Sequence, residues 1–406
     1  MRAFSDLWRP PVSLKNTELY YKDLAYAFSL GISQSLLGPI AIVVTMQLLG
    51  GDKDLVGLIQ SGSMAGLLLS LFYTYFARNL GSAQAYAGPQ VLAWLSVIIC
   101  SLVDSASFFA ALVFVSLLFL HISSPFLSTL YKTIYPAKGR GKIFGKVKRW
   151  QMLAVILSAF LVERLLEISP GSYWTIYFWL GVLGLATGFK FLSIDTQPHD
   201  RKEPQSGFPR IIRIFRHDKN FFIFMVFQFI LGIANLSGLT AFYVYANDSG
   251  YLALSPATAA LVTGLVTPVA MFFSIKLWSL FFDRTNIVIY RVSTSCVLGA
   301  AFLCLPFAGI YGAFIFAVIW GVGRAGGQIA WSLGILDFAP PEHTREYLSV
   351  HTFLTGVRGV IAPFIGIYLL DLFPDDLELL FLTLSLLIFL SAIGTYFLVE
   401  KPVERS

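Results

Sequence analysis

The segment FFAALVFVSLLFLHISSPFLSTL, residues 108–130, contains no lysine, arginine, aspartate or glutamate over its whole length. A helix needs about 20 apolar residues to cross the hydrocarbon layer of a bilayer, and this segment is long enough to do so. The chain as a whole has the same character, since 56% of its 406 residues are hydrophobic and 13% are charged. A soluble domain carries about 25% charged residues. The composition therefore predicts an all-α membrane protein whose solvent is the bilayer.

Similar segments recur along the chain and predict twelve transmembrane helices. We expect six spans at residues 24–49, 55–76, 85–102, 108–130, 150–166 and 173–192, and six more at 221–245, 257–280, 289–305, 311–336, 347–370 and 377–398. Between the two sets, residues 193–219 are polar and contain three prolines, which is typical of a linker. The pattern predicts an N-terminal six-helix bundle at 1–192, a cytoplasmic linker at 193–219 and a C-terminal six-helix bundle at 220–406.

Lysine and arginine are concentrated on one side of the predicted spans. When residues at span ends are included, 25 of the 29 lie in the termini or in the loops after even-numbered spans. Positively charged loops stay in the cytoplasm, so we expect a multi-pass protein of the cell (inner) membrane with both termini cytoplasmic. The net charge of +6 does not indicate a nucleic-acid partner, because the basic residues lie between spans rather than on a soluble face.

Loop residues of the two sets of spans correspond at a distance that is constant within one residue. Arg78 and Arg284 both follow the second span of their set, and they are 206 residues apart. Three further pairs are each 205 residues apart: Pro136 with Pro341, Arg140 with Arg345, and Lys132 with Asp337. The agreement across different loops indicates an internal duplication, and transporters are commonly built from such repeats.

Short charged loops after the second span of each set carry parts of a known motif, Gly-x-x-x-Asp-Arg-x-Gly-Arg-Arg. Asp283-Arg284 matches in the second set, where Ser279 takes the first glycine position, while in the first set only Arg78 survives. With six plus six spans and a charged central loop, the chain resembles the major facilitator superfamily over almost its whole length. The resemblance implies twelve helices in two six-helix bundles related by pseudo-twofold symmetry. The drug/proton antiporter motifs of the fourth and fifth spans are missing, which disfavours that subfamily.

Polar side chains deep in the predicted spans are the candidates for binding a solute, because a charge there costs at least about 2.5–3.5 kcal/mol on insertion scales. In the superfamily, spans 1, 4, 7 and 10 line the cavity and spans 3, 6, 9 and 12 face lipid. We found no charged residue in the interior of the latter group. The proposed solute contacts are Gln34, His121, Gln228, Asn235, Arg324, Gln328 and Arg358.

Helical spacing places several of these candidates on shared faces. Arg324 shares a face with Gln328, Arg358 shares one with Thr355 and His351, and Gln228 shares one with Asn235. His121 aligns with Ser124, Pro125 and Ser128, and Gln34 aligns with Gly38.

Two arginines without a carboxylate at mid-span depth predict a positively charged site and an anionic or anion-bearing solute. The alternative is structural. In that interpretation the arginines bind backbone carbonyls, His121 is a packed neutral histidine, and the amides join neighbouring helices.

Two further roles are predicted for charged residues. Glu163 is the one carboxylate of the first set of spans that could carry a coupling proton. The competing interpretation is that Glu163 and Arg164, which lie about 100° apart on a helix and so do not face one another, both reach the outer surface. By resemblance to the family, loop charges form a cytoplasmic gate; the candidates are Arg78, Lys132, Arg140, Asp283, Arg284, Asp337 and Arg345. Surface solvation is the competing explanation for the gate residues.

We therefore expect a secondary active transporter that moves a small solute by alternating access, coupled to a proton or sodium gradient, and monomeric. A transporter-like sensor or assembly partner remains an alternative. A membrane enzyme is less favoured, because the chain lacks a His-Glu-x-x-His sequence, a Gly-x-Ser-x-Gly elbow and a pair of intramembrane carboxylates. No cofactor and no metal site is predicted, since Cys100, Cys296 and Cys304 lie in apolar segments without ligand spacing.

Overall fold

The computed structural model describes residues 17–127, 140–194, 214–340, 343–374 and 376–400. Twelve long helices make up most of this described part. They are α1 (Thr17–Leu48), α2 (Lys53–Phe76), α3 (Ser82–Cys100), α4 (Ala106–Ile122, continuing to Leu127), α5 (Arg140–Ile168), α6 (Tyr173–Leu192), α7 (Lys219–Asn247), α8 (Pro256–Arg284), α9 (Ile287–Cys304), α10 (Gly309–Leu333), α11 (Thr344–Leu372) and α12 (Leu377–Leu398). The predicted all-α membrane fold is confirmed.

Eleven of the helices in the described residues are long and apolar enough to cross a membrane. The exception is α5, at the position of the predicted fifth span. Three basic residues, Lys146, Lys148 and Arg149, lie near its start, and Glu163, Arg164 and Glu167 lie near its end. These charges leave no apolar stretch of spanning length between them, although the helix itself has 29 residues.

The chain divides into two compact units, residues 1–203 with Pro256–Leu261, and residues 204–255 with 262–406. The linker predicted at 193–219 lies largely outside the described residues, so its boundaries stay a prediction. We call α1–α6 the first half and α7–α12 the second half.

The two halves have the same internal pairing of helices. In the first half, α2 packs on α4, α3 on both α4 and α6, and α1 on both α5 and α6. In the second half, α8 packs on α10, α9 on both α10 and α12, and α7 on both α11 and α12. Helices α9, α10 and α12 begin 203 to 205 residues after α3, α4 and α6. The duplication inferred from the loops therefore extends to the packing of the helices.

Small hydroxyl side chains join the paired helices. In the second half, Ser237 of α7 donates to the carbonyl of Ala362 on α11 at 2.7 Å, and Ser385 of α12 donates to Gly299 on α9 at 2.9 Å. In the first half, the hydroxyls of Ser29 and Thr187 meet at 3.0 Å between α1 and α6. Without a hydrophobic driving force inside lipid, such bonds and close packing hold membrane helices together.

Helix α1 is broken near its middle. Gly38 departs from helical geometry, with φ −102° and ψ −109°, inside a π-helical turn that also contains Pro39. Proline has no backbone N–H to donate, so the regular ladder of hydrogen bonds is interrupted here. The Tyr177 hydroxyl of α6 donates to the Leu36 carbonyl at 2.6 Å. Because the break lies at Gly38, this residue does not continue the regular helical face of Gln34.

Glycines allow the large aromatic Trp94 of α3 to lie directly against α6. A Cβ placed on Gly184 would overlap the indole ring of Trp94. One turn further along the same face, a Cβ on Gly188 would lie 3.6 Å from Trp94 Cδ1, which is ordinary van der Waals contact.

This difference predicts that Gly184→Ala destabilises the first half by about 1–3 kcal/mol through overpacking. Gly188→Ala is the matched control and should leave stability unchanged. Thermal unfolding of the purified protein in detergent measures both. Equal melting temperatures for the two variants would contradict the close packing of α3 and α6.

Candidate functional site

Arg324 of α10 has an exposed side chain in the second half. Its guanidinium carbon lies 4.9 Å from the centre of the Trp320 ring, one turn earlier on the same helix. The Trp320 indole N–H donates to Asn235 Oδ1 of α7 at 2.9 Å. Because this bond fixes the ring and the ring attracts the cation, the guanidinium is held in place. We call Asn235, Trp320, Arg324 and Gln328 the tryptophan–arginine site.

Arg324 does not lie on the exposed apolar stripe of α10. Tyr311, Ile315 and Val318 form an exposed apolar stripe on the same helix. Arg324 follows Ile315 by nine residues, which is about 180° around an α-helix. Gln328 is also exposed, one turn beyond Arg324. Arg324 and Gln328 therefore share an exposed side of α10 that also carries Ile310 and Trp331, away from the stripe of Tyr311, Ile315 and Val318.

Arg358 of α11 is buried against α7. Its Nη1 donates to the backbone carbonyl of Gln228, and its Nη2 lies 3.4 Å from Thr355 Oγ1. Gly232 makes room for it, because a Cβ there would collide with the guanidinium. The backbone-carbonyl alternative therefore describes one guanidinium nitrogen, Nη1, while Nη2 lies beside a side-chain hydroxyl. Thr355 and Arg358 lie on one face of α11, where their side chains are 3.4 Å apart.

Arg291 is a buried charge that the sequence analysis missed. The sequence predicts no charge in the interior of the ninth span. The structure corrects this: Arg291 lies inside α9 and is buried. Within the second half it is in electrostatic range of Arg358 and of the buried His351. Arg291 lies two residues after the start of the predicted ninth span, and this position is the one feature of the sequence that could have indicated its burial.

The remaining solute candidates differ in their surroundings, and the buried side-chain Oε1 of Gln228 has no hydrogen-bond partner among the described residues. Gln228 and Asn235 share a face of α7 but contact different helices, α11 through the carbonyl of Gln228 and α10 through the amide of Asn235. In the first half, His121 Nδ1 lies 2.9 Å from the Leu117 carbonyl of its own helix. Gln34 is exposed on α1. For His121 this geometry matches a packed histidine.

The regular helix that carries His121 ends at Ile122, and Ser128 lies outside the described residues. A turn at Ser123 interrupts the helix, residues 124–127 are helical again, and the part of the expected polar face at Ser128 stays a prediction.

Glu163 of α5 is buried, and the structure corrects the expectation that it does not face Arg164. Its Oε2 lies 3.6 Å from Arg164 Nε. Arg164 makes a shorter contact, 2.7 Å, with the exposed Glu167. A second buried carboxylate, Asp23 of α1, was missed because it precedes the predicted first span by one residue. It lies in electrostatic range of Lys148 on α5.

The gate candidates are placed only in part. Asp283 and Arg284 are exposed at the end of α8, and Asp337 is half-buried beyond α10. Lys132 lies outside the described residues, and so do the side chains of Arg78, Arg140 and Arg345. The gate stays a prediction.

Two halves with the same helix pairing and apolar helices of membrane-spanning length define a polytopic membrane protein of the transporter type. The chain belongs to the Major Facilitator Superfamily, whose family model matches residues 24–363. The expected family is thus confirmed. No curated protein matches the sequence.

Solved transporters share this fold. A point mutant of the nucleoside transporter NupG is 13% identical with a TM-score of 0.74, covering 95% of this chain and 100% of its own. A POT family transporter in complex with a thioalcohol-conjugated peptide is 13% identical with a TM-score of 0.74, and the match covers 92% of this chain and 94% of the POT transporter. A point mutant of the E. coli fucose:proton symporter FucP is 14% identical with a TM-score of 0.63, and the match covers 93% of this chain and 98% of FucP. At these identities the likeness shows the fold alone.

Proposed function

We propose that the protein is a secondary active transporter that moves a small anion-bearing solute by alternating access of its two six-helix halves. The family and the transporters that share the fold support transport. The observation that carries the solute class is Arg324, an exposed arginine on the side of α10 opposite its apolar stripe. In the described part of the chain, no ion pair joins Arg324 to a carboxylate.

An uncompensated guanidinium is suited to a carboxylate or phosphate group, which it binds through two parallel N–H donors. The Trp320 ring, which is fixed by its bond to Asn235, packs against the guanidinium of Arg324. Because the side chain is already ordered, Arg324 loses little conformational freedom when a solute binds. Gln328 adds an amide one turn away, which can donate to a neutral part of the same solute. These properties favour a solute with one anionic end and a polar body.

The transporters that share the fold do not choose the solute. Their names refer to a nucleoside, a peptide and fucose, which differ in charge and size. The anionic class proposed for this chain therefore depends on Arg324 alone. Gln34, which is exposed on α1, remains a proposed solute contact.

Replacing Arg324 tests the solute class. Arg324→Gln should weaken binding of an anionic solute by about 1.5–3 kcal/mol, the contribution of a hydrogen bond to a charged group. That corresponds to roughly 10- to 100-fold. Uptake into proteoliposomes is measured with solutes in pairs, each carboxylate or phosphate compound beside its uncharged amide or unphosphorylated analogue.

The exposed Arg216, which precedes α7, provides the control variant Arg216→Gln. The control should behave as wild type with both members of each pair. If Arg324→Gln weakens the charged and uncharged solutes equally, the anionic class is wrong. If the wild-type protein transports nothing from either set, the transport function itself is contradicted.

Replacing Glu163 tests proton coupling, which we propose for this buried carboxylate. Glutamine cannot take up a proton, so Glu163→Gln should abolish accumulation driven by a pH gradient and keep solute exchange at zero gradient. Glu167→Gln is the matched control, because Glu167 is exposed and contacts the same Arg164. Undiminished pH-driven accumulation in Glu163→Gln, or accumulation driven by a sodium gradient alone, would refute this role.

A further inference from the structure

Three basic side chains lie inside the second half, away from the tryptophan–arginine site. Arg291 of α9 is 6% exposed, His351 of α11 is 2% exposed, and Arg358 of α11 is 8% exposed. We call these three residues the buried basic cluster. Each is more than nine-tenths buried, which is costly for a charged group in a protein interior.

Helical spacing, electrostatic interactions and a shared hydrophobic core place these three residues in one region of the second half. His351 and Arg358 are two turns apart on one face of α11, and both lie in electrostatic range of Arg291. Tyr290 and Val350, the chain neighbours of Arg291 and His351, belong to a single hydrophobic core formed by α7, α8, α9, α10 and α11. The three side chains therefore lie within electrostatic range of one another inside the second half.

Each member of the cluster has a buried nitrogen without a hydrogen-bond partner. Among the described residues these atoms are Arg291 Nε, His351 Nε2 and Arg358 Nε. Arg358 uses Nη1 for the Gln228 carbonyl and has Thr355 near Nη2, so its Nε–H is left over. A buried donor that makes no bond loses its full hydration energy, and native structures rarely leave one so.

No described carboxylate neutralises the cluster. Asp218 accepts from Tyr347 at 2.8 Å, and Glu346 lies 3.5 Å from His343. Asp283 is exposed at the end of α8. Ion pairs to Arg291 and to Arg358 are absent from the described residues. Two buried guanidinium groups thus lie within electrostatic range of each other without a counter-ion among the described residues.

Water would satisfy the free N–H groups but would leave the charge uncompensated. An anion does both, because its oxygens accept from several donors and its charge offsets the arginines. Planar guanidinium groups and a histidine nitrogen are the donors that suit a carboxylate or a phosphate.

We propose that Arg291, His351 and Arg358 form a binding site for an anionic oxygen group, carboxylate or phosphate, inside the second half of the protein. The group belongs either to the transported solute or to a free inorganic anion that stays bound. This inference does not require the proposed role of Arg324, which lies on a different helix, α10.

Inorganic phosphate is the probe for the test. The purified full-length protein in detergent is titrated with phosphate at constant ionic strength, with chloride as the balancing salt, and thermal unfolding is followed. A ligand that binds only the folded state raises the melting temperature in a saturable way. We expect this rise in the wild type and an apparent affinity at least tenfold weaker in Arg291→Gln and Arg358→Gln.

Arg216→Gln is the matched control and should keep the wild-type response. Because Arg358→Gln also loses its bond to α7 and can fail to fold, Arg291→Gln and His351→Gln keep the test decisive. The quantity compared is the shift caused by phosphate, not the melting temperature without it, so a purely structural role would not change it. No saturable shift in the wild type, or a full shift in Arg291→Gln, would overturn the proposal.

Arg324→Gln separates this proposal from the proposed function. We expect it to keep the phosphate shift. If Arg324→Gln abolishes the shift while Arg291→Gln preserves it, phosphate binds at the tryptophan–arginine site. In that case the buried cluster is not the anion site, and the proposed solute class survives.

Uptake of radiolabelled phosphate into proteoliposomes then distinguishes the two sources of the anion. Saturable uptake that is lost in Arg291→Gln identifies the anionic group as part of the cargo. Stabilisation without uptake identifies a resident ion. Both outcomes require the binding site.

Discussion

An arginine inside a membrane protein keeps its charge, so it must be hydrated, neutralised or bonded to oxygen atoms. In the second half this requirement applies to three arginines at once. Arg324 is exposed on the side of α10 opposite an apolar stripe, while Arg291 and Arg358 are buried with His351. The described carboxylates do not pair with any of them. The described part of the second half therefore holds an excess of positive charge at these arginines that a bound anion would neutralise.

The packing of the helices makes that arrangement possible. Gly232 leaves space on α7 for the guanidinium of Arg358, which in turn binds the Gln228 carbonyl on the same helix. The bond between Trp320 and Asn235 joins α10 to α7 beside Arg324. Hydroxyl groups such as Ser237 connect the same helices without adding charge. Some of the polar contacts that join the helices of the second half thus also position Arg324 and Arg358.

Much of this organisation could be predicted from the sequence, because long apolar segments and loop charges report directly on membrane spans. Spacing also places Thr355 and Arg358 on one face, as the structure has them. The burial of Arg291 could not be found by counting charges, since the count does not tell which way a helix is rotated. The bond from Arg358 to a carbonyl depends on a glycine in another helix, more than 120 residues away. The contact between Glu163 and Arg164 depends on the length of a side chain rather than on helical spacing.

The central claim is that the second half holds arginine charge that an anion neutralises. Crystals grown with selenate test it most directly, because selenium gives an anomalous signal and selenate has the oxygens of a phosphate-sized anion. We expect a peak within hydrogen-bond reach of Arg291 and Arg358, at about 3–4 Å from guanidinium nitrogen to selenium. An ordered structure at saturating selenate with no such peak, in which a carboxylate of the protein contacts both guanidinium groups, would contradict the account.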